Sequence, residues 1–231
     1  MLRAMIAAGR RPVVAFEMFD VDQQTAIEEA RATHPKDTAA LAAAVRWDQS
    51  GWPPWAQYEP IARLALDADL KIVSTGLARD RRVLMKPDAG TVIDEGAPLT
   101  PQQEASLAGE LRESHCGHLP EERIGAMIRF QRARDASMES ALLAAANAEH
   151  AADTVLVAGT GHTRTDRGAG RDLVVRDRTR SLTSIAFAEV ESGKTTPAAY
   201  ASRWNEAELP FDFVWFTPRA NDDDPCAGFP H

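Results

Sequence analysis

The chain is poor in cysteine and tyrosine and has no excess of basic residues. Two cysteines among 231 residues are too few for a zinc framework. A net charge of -8 leaves no basic surface of the kind that binds DNA or RNA. No apolar run approaches the roughly 20 residues of a membrane helix, and the N-terminal MLRAMIAAGRR is too short and too interrupted for a signal peptide. These absences argue against a nucleic-acid partner and against a transmembrane segment.

The length and the cysteines leave two questions open. A chain of 231 residues with 44% apolar content can bury one sizeable core, so we expect a single domain spanning residues 1–231. Cys116 and Cys226 either pair in an oxidising compartment or are two unrelated thiols. Sequence alone does not decide between these alternatives, nor does it give the oligomeric state.

The stretch VLVAGTGHTRTDR, from Val155 to Arg167, carries the strongest pattern for a functional site. Its apolar, β-branched run ends in Gly-Thr-Gly, which is typical of a buried strand of a parallel sheet. Ligands of open α/β sheets collect beyond the carboxyl ends of such strands. The pattern therefore indicates His162 and Arg164, which follow directly, as candidate site residues.

Strand and helix patterns alternate along the rest of the chain. Pro12–Phe19 reads as a strand with Glu17 near its end, and it is followed by a helix over Gln23–Ala32. The other predicted elements are an aromatic loop (Trp47–Tyr58), a helix (Pro60–Asp69), a strand (Lys71–Thr75), a surface excursion (Met85–Pro101), two helices (Gln102–Glu113 and Pro120 to about Asn147) and two late strands (Leu182–Val190 and Phe211–Thr217). This order predicts an α/β fold, a mostly parallel central sheet flanked by helices, with a helical subdomain inserted at about residues 77–150.

The predicted long helix has an apolar stripe that contains polar side chains. Gln131 and Asp135 fall in the middle of the stripe and Arg134 lies at its edge. A buried carboxylate without a partner costs several kcal/mol, so we expect Asp135 to be paired, hydrogen-bonded or facing a cavity. An internal ion-pair network explains these residues as well as a ligand pocket does.

Two further candidates lie in loops. His115 belongs to the cluster His-Cys-Gly-His, where a structural zinc site has weak support and a capping or packing role is the simpler interpretation. Tyr58, in the aromatic loop, is a candidate phenolate ligand for ferric iron, although such tyrosines more often bridge core and water.

Several segments, taken in order, make the chain resemble the ChaN-like haem-binding family of the Tiki superfamily. They are FEMF (Phe16–Phe19), GWPPWAQYEPI (Gly51–Ile61), SHCGHLP (Ser114–Pro120), FQRARDASM (Phe130–Met138), AGTGHTRTDRG (Ala158–Gly168), FDFVWFTP (Phe211–Pro218) and DDPC (Asp223–Cys226). The resemblance implies an α/β core with an inserted helical subdomain. It also implies haem-binding lipoproteins of bacterial iron uptake, with metal-dependent proteases among the Tiki relatives.

The resemblance also assigns residues. Glu17 matches the family's strand-end glutamate and His162 the histidine of its Gly-x-Gly-His motif, while Gln131, Arg134 and Asp135 match its helical Gln-x-x-Arg-Asp pattern. One departure stands out, because the family opens with an additional strand ending in a Gly-Glu-x-His type motif. We therefore expect that this first strand is missing, either through a start at an internal methionine or through loss of that edge. In the former case a signal for the cell envelope is missing too, and the cellular location stays open.

Two functions follow from these residues. In the first, a binding protein captures haem. Tyr58 or His115 supplies the axial ligand, Arg134 or Arg164 pairs with the propionates, and the tryptophan-rich loop supplies apolar area.

In the second function, Glu17 and His162 hold a divalent metal at the strand ends and catalyse hydrolysis, with Asp135 or Asp166 as a further ligand. A third alternative is a shortened member without a working site. A homodimer that shares a cofactor is also compatible with the sequence.

Overall fold

The computed structural model describes residues 1–77, 94–149, 153–224 and 226–228. The chain divides into two units, which are described separately. The first unit comprises Met1–Arg82 and Ser137–Ala158, and the second comprises Val83–Ala136 and Gly159–His231.

A three-stranded parallel sheet forms the centre of the first unit. Its strands are β1 (Val13–Asp20), β2 (Ile72–Gly76) and β3 (Thr154–Val157), in the order β2-β1-β3. Every residue of β1 is buried, as expected for a central parallel strand covered on both faces. Phe16 pairs with Ser74 on one side and with Val157 on the other. The three carboxyl ends therefore lie at the same edge of the sheet.

Four helices and three short 3-10 turns accompany this sheet in the N-terminal part of the first unit. The helices are α1 (Leu2–Ala7), α2 (Gln24–Thr33), α3 (Thr38–Ala44) and α4 (Glu59–Asp67), and the turns are Val21–Gln23, Trp47–Gln49 and Trp55–Gln57. The Asp37 carboxylate accepts hydrogen bonds from the first backbone amides of α3, which fixes where that alanine-rich helix begins. The core of the first unit includes fully buried residues such as Phe16, Phe19, Ile27, Leu41 and Ile72.

The helices that follow are α5 (Pro101–Ser114), α6 (Glu121–Ala148) and α7 (Ala169–Arg176). Helix α5 begins with a capping box, in which Thr100 and Gln103 each satisfy the backbone amide of the other. Helix α6 contributes residues to both units. The apolar stripe predicted for it faces inward: Ile124, Ile128, Met138 and Leu142 are buried and Met127 is partly buried. Asp135, within the stripe, is buried too.

A separate two-stranded parallel sheet belongs to the second unit. Strand β4 (Ile185–Glu189) pairs along its whole length with β5 (Phe213–Thr217). One face of this sheet packs against the 3-10 helix Pro197–Trp204, where Tyr200 and Trp204 are buried.

The predicted fold class, a mostly parallel sheet flanked by helices, is confirmed, and each predicted strand is present. The first two strands are shifted by one residue toward the C-terminus, and the two late strands are shorter than predicted. Helices α1, α3 and α7 were not predicted from the sequence. Most of the predicted excursion Met85–Pro101 lies outside the described residues, and its described part, residues 94–100, is irregular. The single domain with an insertion at about 77–150 stays a prediction. Among the described helices, none combines the length and apolar character needed to cross a membrane.

Candidate functional site

The tryptophan-rich loop folds into an aromatic cluster in the first unit. The ring of Trp47 lies 4.9 Å, centroid to centroid, from the rings of both Trp55 and Tyr58, and it also meets Phe19 edge to face. Trp47 is buried, and its indole N–H donates to the Pro53 carbonyl at 3.1 Å. Trp47 is therefore a core residue, whereas Trp55 and Tyr58 remain partly exposed.

Tyr58 lies in an environment that keeps its hydroxyl protonated. Burial raises the pKa of Tyr58, and the negative charge of Glu17 raises it further. Glu17 is buried in β1 of the same unit. Two of the predicted site residues, the strand-end glutamate and the loop tyrosine, thus belong to the same unit and interact electrostatically. Because the phenolate is the form that binds ferric iron, this electrostatic setting opposes ligation by Tyr58 in the absence of a cation.

His115, in the second unit, is held by its Nδ1 atom. It caps the C-terminus of α5, and Nδ1 lies 2.8 Å from the Leu111 carbonyl oxygen. A carbonyl only accepts, so Nδ1 carries a proton, and in the neutral ring the lone pair lies on Nε2. In the part of the chain that the structure describes, no hydrogen bond to His115 Nε2 is found. Histidine ligands of metals are commonly oriented in this way.

The loop after His115 is fixed covalently. Cys116 and Cys226 form a disulfide, which decides the question that the sequence left open. Cys116 and Gly117 both have positive φ, 55° and 72°, so the chain turns sharply at the end of α5. The disulfide holds this turn and the C-terminal segment together, directly beside His115.

Asp135, Gln131 and His162 form a hydrogen-bonded group in the second unit. His162 Nδ1 lies 2.6 Å from Asp135 Oδ1, and the Gln131 amide nitrogen lies 3.1 Å from His162 Nε2. An amide N–H donates, so Nε2 accepts while Nδ1 donates to the carboxylate. The prediction that buried Asp135 has a partner is confirmed. With both ring nitrogens engaged and the residue buried, the arrangement positions the imidazole firmly.

Two glycines near His162 are needed because other atoms lie close to them. A Cβ atom on Gly161 would lie 3.2 Å from Glu110 Oε1 and 3.3 Å from Gln131 Nε2, so a larger residue would crowd the group around His162. Gly168 has φ of 98°, and a Cβ atom there would meet the His162 carbonyl oxygen at 2.5 Å. Glycine is required at position 168 by both conformation and space.

Arg164 lies at the centre of a buried ion-pair network. Its guanidinium donates to both carboxylate oxygens of Asp166, at 2.8 and 2.7 Å, to Glu206 at 2.6 Å, to the Trp204 carbonyl at 2.8 Å and to Glu110 at 3.2 Å. The Arg164 side chain is 0% exposed. Pairing of Arg164 with a propionate would require these bonds to break.

The network sets the charge state of Asp166. Burial alone would raise the pKa of Asp166, but the hydrogen bonds and charge of Arg164 outweigh it and hold the pKa below its ordinary value. Asp166 is thus engaged by Arg164 rather than placed for a metal. Arg167 adds a further ion pair to Glu110. Glu110 and Glu206 were not predicted as members of this network, because no local sequence pattern indicates a long-range ion pair.

Arg134 differs from Arg164 in its surroundings. It is partly exposed on α6, with its guanidinium carbon 6.0 Å from the centroid of the Phe130 ring. Its partial exposure agrees with the position predicted for it at the edge of the apolar stripe. Of the two arginines considered for propionates, Arg134 is the more accessible.

The metal alternative gains no support from the described residues, where no group of three or more His, Cys, Asp and Glu side chains is placed to hold a metal ion. Glu17 belongs to the first unit and His162 to the second. A shared metal site formed by these two residues stays a prediction.

The family of the chain is identified by its match to a protein-family model. The model of the family described as "Haem-binding uptake, Tiki superfamily, ChaN" matches residues 1–173, which is most of the chain. The chain belongs to this ChaN family. The resemblance found in the sequence motifs is thereby confirmed.

Two solved structures share the fold of this ChaN-family chain. The first, "Cofacial heme binding to ChaN of Campylobacter jejuni", has a TM-score of 0.64 at 18% identity, over 92% of this chain and 76% of that chain. The second, the type III effector HopBA1, has a TM-score of 0.51 at 16% identity, over 93% and 77%. No curated protein matches by sequence. At these identities the structural matches establish the fold alone.

The buried hydrogen bond between Asp135 of α6 and His162 is expected to stabilise this ChaN-family chain. Replacing Asp135 with leucine is expected to lower the free energy of unfolding by about 1–3 kcal/mol, because the His162 N–H is left buried without an acceptor. Chemical denaturation measures the loss. Asp223→Leu, at an exposed position of the same unit, is the matched control. Equal stabilities of the two variants would contradict the assignment.

Proposed function

We propose that this protein binds haem through an axial ligand on its own chain, and that His115 is that ligand. The observation that carries the proposal is the His115 ring, whose Nδ1 is hydrogen-bonded to the Leu111 carbonyl and whose Nε2 keeps its lone pair. A neutral imidazole oriented by a backbone carbonyl suits ferric and ferrous iron. Bound haem would supply an iron centre with an open coordination position.

The ring of His115 needs little rearrangement to bind iron. It is partly buried, so its neighbours restrict its motion while an approach from solvent stays open. The disulfide at the adjacent Cys116 holds the turn in which the ring sits. A preorganised ligand loses less conformational entropy on binding than a mobile one.

Tyr58 is the second candidate for the axial ligand. In its favour, the partly exposed rings of Trp55 and Tyr58 offer apolar surface for a porphyrin. Against it, burial and the charge of Glu17 raise the pKa of Tyr58, so forming the phenolate costs free energy that iron binding must offset. The geometry therefore favours His115 over Tyr58.

A cationic side chain is also needed for the haem propionates. Arg134 fits this role, since it is partly exposed and arginine pairs well with carboxylates. Arg164 does not fit it without disruption, because its guanidinium already donates hydrogen bonds to three carboxylates and to the Trp204 carbonyl. In this proposal Gln131, Asp135 and His162 hold the structure around the motif rather than ligating iron directly.

The proposal predicts the outcome of a hemin titration. Wild-type protein is expected to give a saturable Soret band, and His115→Ala is expected to weaken binding at least about tenfold, which corresponds to the loss of roughly 1.4 kcal/mol. The position of the Soret band in Tyr58→Phe separates the two candidate ligands. Absorbance spectroscopy at fixed pH provides both readouts.

Matched controls exist for each substitution. His34→Ala removes an exposed histidine in the other unit, and Tyr200→Phe removes the hydroxyl of the remaining tyrosine, which binds the Glu191 backbone amide. Both controls should bind hemin as wild type does. If His115→Ala keeps the wild-type spectrum while Tyr58→Phe loses it, Tyr58 is the ligand. If neither substitution changes the spectrum, the proposal is wrong.

The family description also suggests a biological role. We infer that haem binding by this chain serves uptake of haem or iron, as the family is described. Growth of a deletion strain with hemin as its iron source, against growth on an iron salt, tests this role. A defect confined to hemin medium is the expected result, and equal growth in both media would contradict it.

A further inference from the structure

The two-stranded sheet of the second unit exposes large aromatic side chains on its outer face. Phe187, Phe213 and Trp215 are 67%, 62% and 66% exposed. The alternate residues Ala186 and Ala188 are buried on the opposite face. Aromatic rings of this size are normally at least half covered in a folded protein, so three exposed together call for a functional explanation.

The strand register places these rings side by side. Phe187 pairs directly with Trp215, and Ile185 pairs with Phe213. Neighbouring strands lie about 4.8 Å apart, and residues two apart along one strand lie roughly 6.6 Å apart on the same face. The four side chains therefore form a compact apolar quadrilateral, here called the outer aromatic face. It is bounded at one end by the pair Glu189 and Thr217.

The area of this face limits what can cover it. An aromatic side chain has roughly 150–250 Å² to bury, so three rings about two-thirds exposed offer on the order of 300–500 Å². A stable protein interface needs about 800 Å² on each partner. The outer aromatic face is therefore too small to hold a second copy of this chain by itself, and its size suits one face of a planar small molecule.

We propose that the outer aromatic face binds the plane of a tetrapyrrole by stacking, without ligating a metal. Offset stacking between π-systems adds to the burial of apolar area, and the rings of Trp215, Phe187 and Phe213 supply the surface. The inference takes only its ligand class from the proposed function. The residues are different, and they lie beyond the segment of residues 1–173 that the family model matches.

Metal-free protoporphyrin IX is the probe that tests this site. It has no iron to ligate, so its binding reports stacking alone. Wild-type protein is expected to change the porphyrin absorbance spectrum saturably. Trp215→Leu, which keeps apolar area but removes the ring, is expected to weaken binding about tenfold, while Trp215→Phe, which keeps a ring, stays within about threefold of wild type. Phe187→Leu should behave as Trp215→Leu does.

The control is Val175→Ala, which shortens another exposed apolar side chain of the second unit, on α7, and should leave porphyrin binding unchanged. All these positions are exposed, so thermal midpoints close to wild type are expected, and they confirm that each variant folds. Equal affinity of Trp215→Leu and wild type would overturn the inference. So would equal affinities of Trp215→Leu and Trp215→Phe, since that would show area rather than stacking.

Other occupants of the face give distinct results. A second copy would show as a concentration-dependent doubling of mass in sedimentation that Trp215→Leu abolishes, and a lipid surface as co-flotation with phosphatidylglycerol vesicles that the same variant abolishes. Either result without porphyrin binding overturns the inference. The hemin titration of His115→Ala tests the axial ligand independently of this face. Porphyrin binding that depends on Trp215, with a hemin spectrum unaffected by His115 and Tyr58, would support stacking and refute the proposed function.

Discussion

Replacing Arg164 with methionine is expected to lower the free energy of unfolding by about 3–5 kcal/mol. Methionine fills much of the same volume but removes the positive charge that three carboxylates share, those of Asp166, Glu110 and Glu206. The variant leaves Asp166 and Glu206 without the cation that they share, while Glu110 keeps its ion pair with Arg167. The penalty of the uncompensated charges, rather than lost packing, dominates the expected effect.

Chemical denaturation at neutral pH measures this loss. Arg123→Met, at an exposed position of α6, is the matched control and should stay within about 0.5 kcal/mol of wild type. A loss for Arg164→Met no larger than that of the control would show that the network contributes nothing to stability.

The same pair of proteins has a predictable pH dependence. The pKa of Asp166 is lower in the folded protein than its ordinary value, so its contribution to stability is present above the unfolded pKa and is lost as pH falls through the folded pKa. The difference between wild type and Arg164→Met should therefore be largest near neutral pH and shrink on acidification. A difference that stays constant to low pH would contradict the charge-based explanation.

Removing the disulfide between Cys116 and Cys226 is expected to cost about 2–5 kcal/mol of unfolding free energy. The bond joins residues 110 positions apart, so it closes a long loop and restricts the unfolded chain strongly. Around Cys226 the described hydrogen bonds are local, such as that from its amide to Asp224. We therefore expect the C-terminal segment to be the part released first.

Thermal denaturation of Cys116→Ser, of Cys226→Ser and of the double variant tests this prediction. All three should unfold at the same lowered temperature, because each removes the same bond. Wild type treated with dithiothreitol should match them, and dithiothreitol should leave the double variant unchanged. Additive losses in the double variant would show that the two cysteines act separately.

Much of the fold follows from local sequence patterns. The strand Val13–Asp20 is apolar throughout because both of its faces are covered, and such a run is visible without a structure. The long helix was predicted almost to its ends, since its stripe and its acidic first turn are local features. Helix α3 was missed although Asp37 before an alanine-rich stretch is a start signal, and α7 was missed because its glycine-rich beginning resembles a loop.

Only part of the candidate site could be predicted from local sequence patterns. Asp135 was recognised because a carboxylate in an apolar stripe needs a partner, but the stripe does not say that the partner is His162. Arg164 was grouped with propionate-binding residues because it follows the motif. Its engagement by Glu110 and Glu206, which are 54 and 42 positions away, is a long-range contact without a local signal.

The sequence by itself determined the class of the fold, the family and the identity of the residues at the strand and helix ends. Hydrophobic periodicity, capping residues and glycine spacing are properties of neighbouring residues, and they act before the chain is compact. Only the tertiary structure decided which ring nitrogen of His115 is hydrogen-bonded and that Arg164 is ion-paired with carboxylates. It also decided that the two cysteines form a disulfide and that one face of the β4–β5 sheet is exposed. The state of His115 depends on the Leu111 carbonyl only four residues away, once α5 has formed and ended there. The other three depend on groups far apart in sequence, which interact only after the chain has folded.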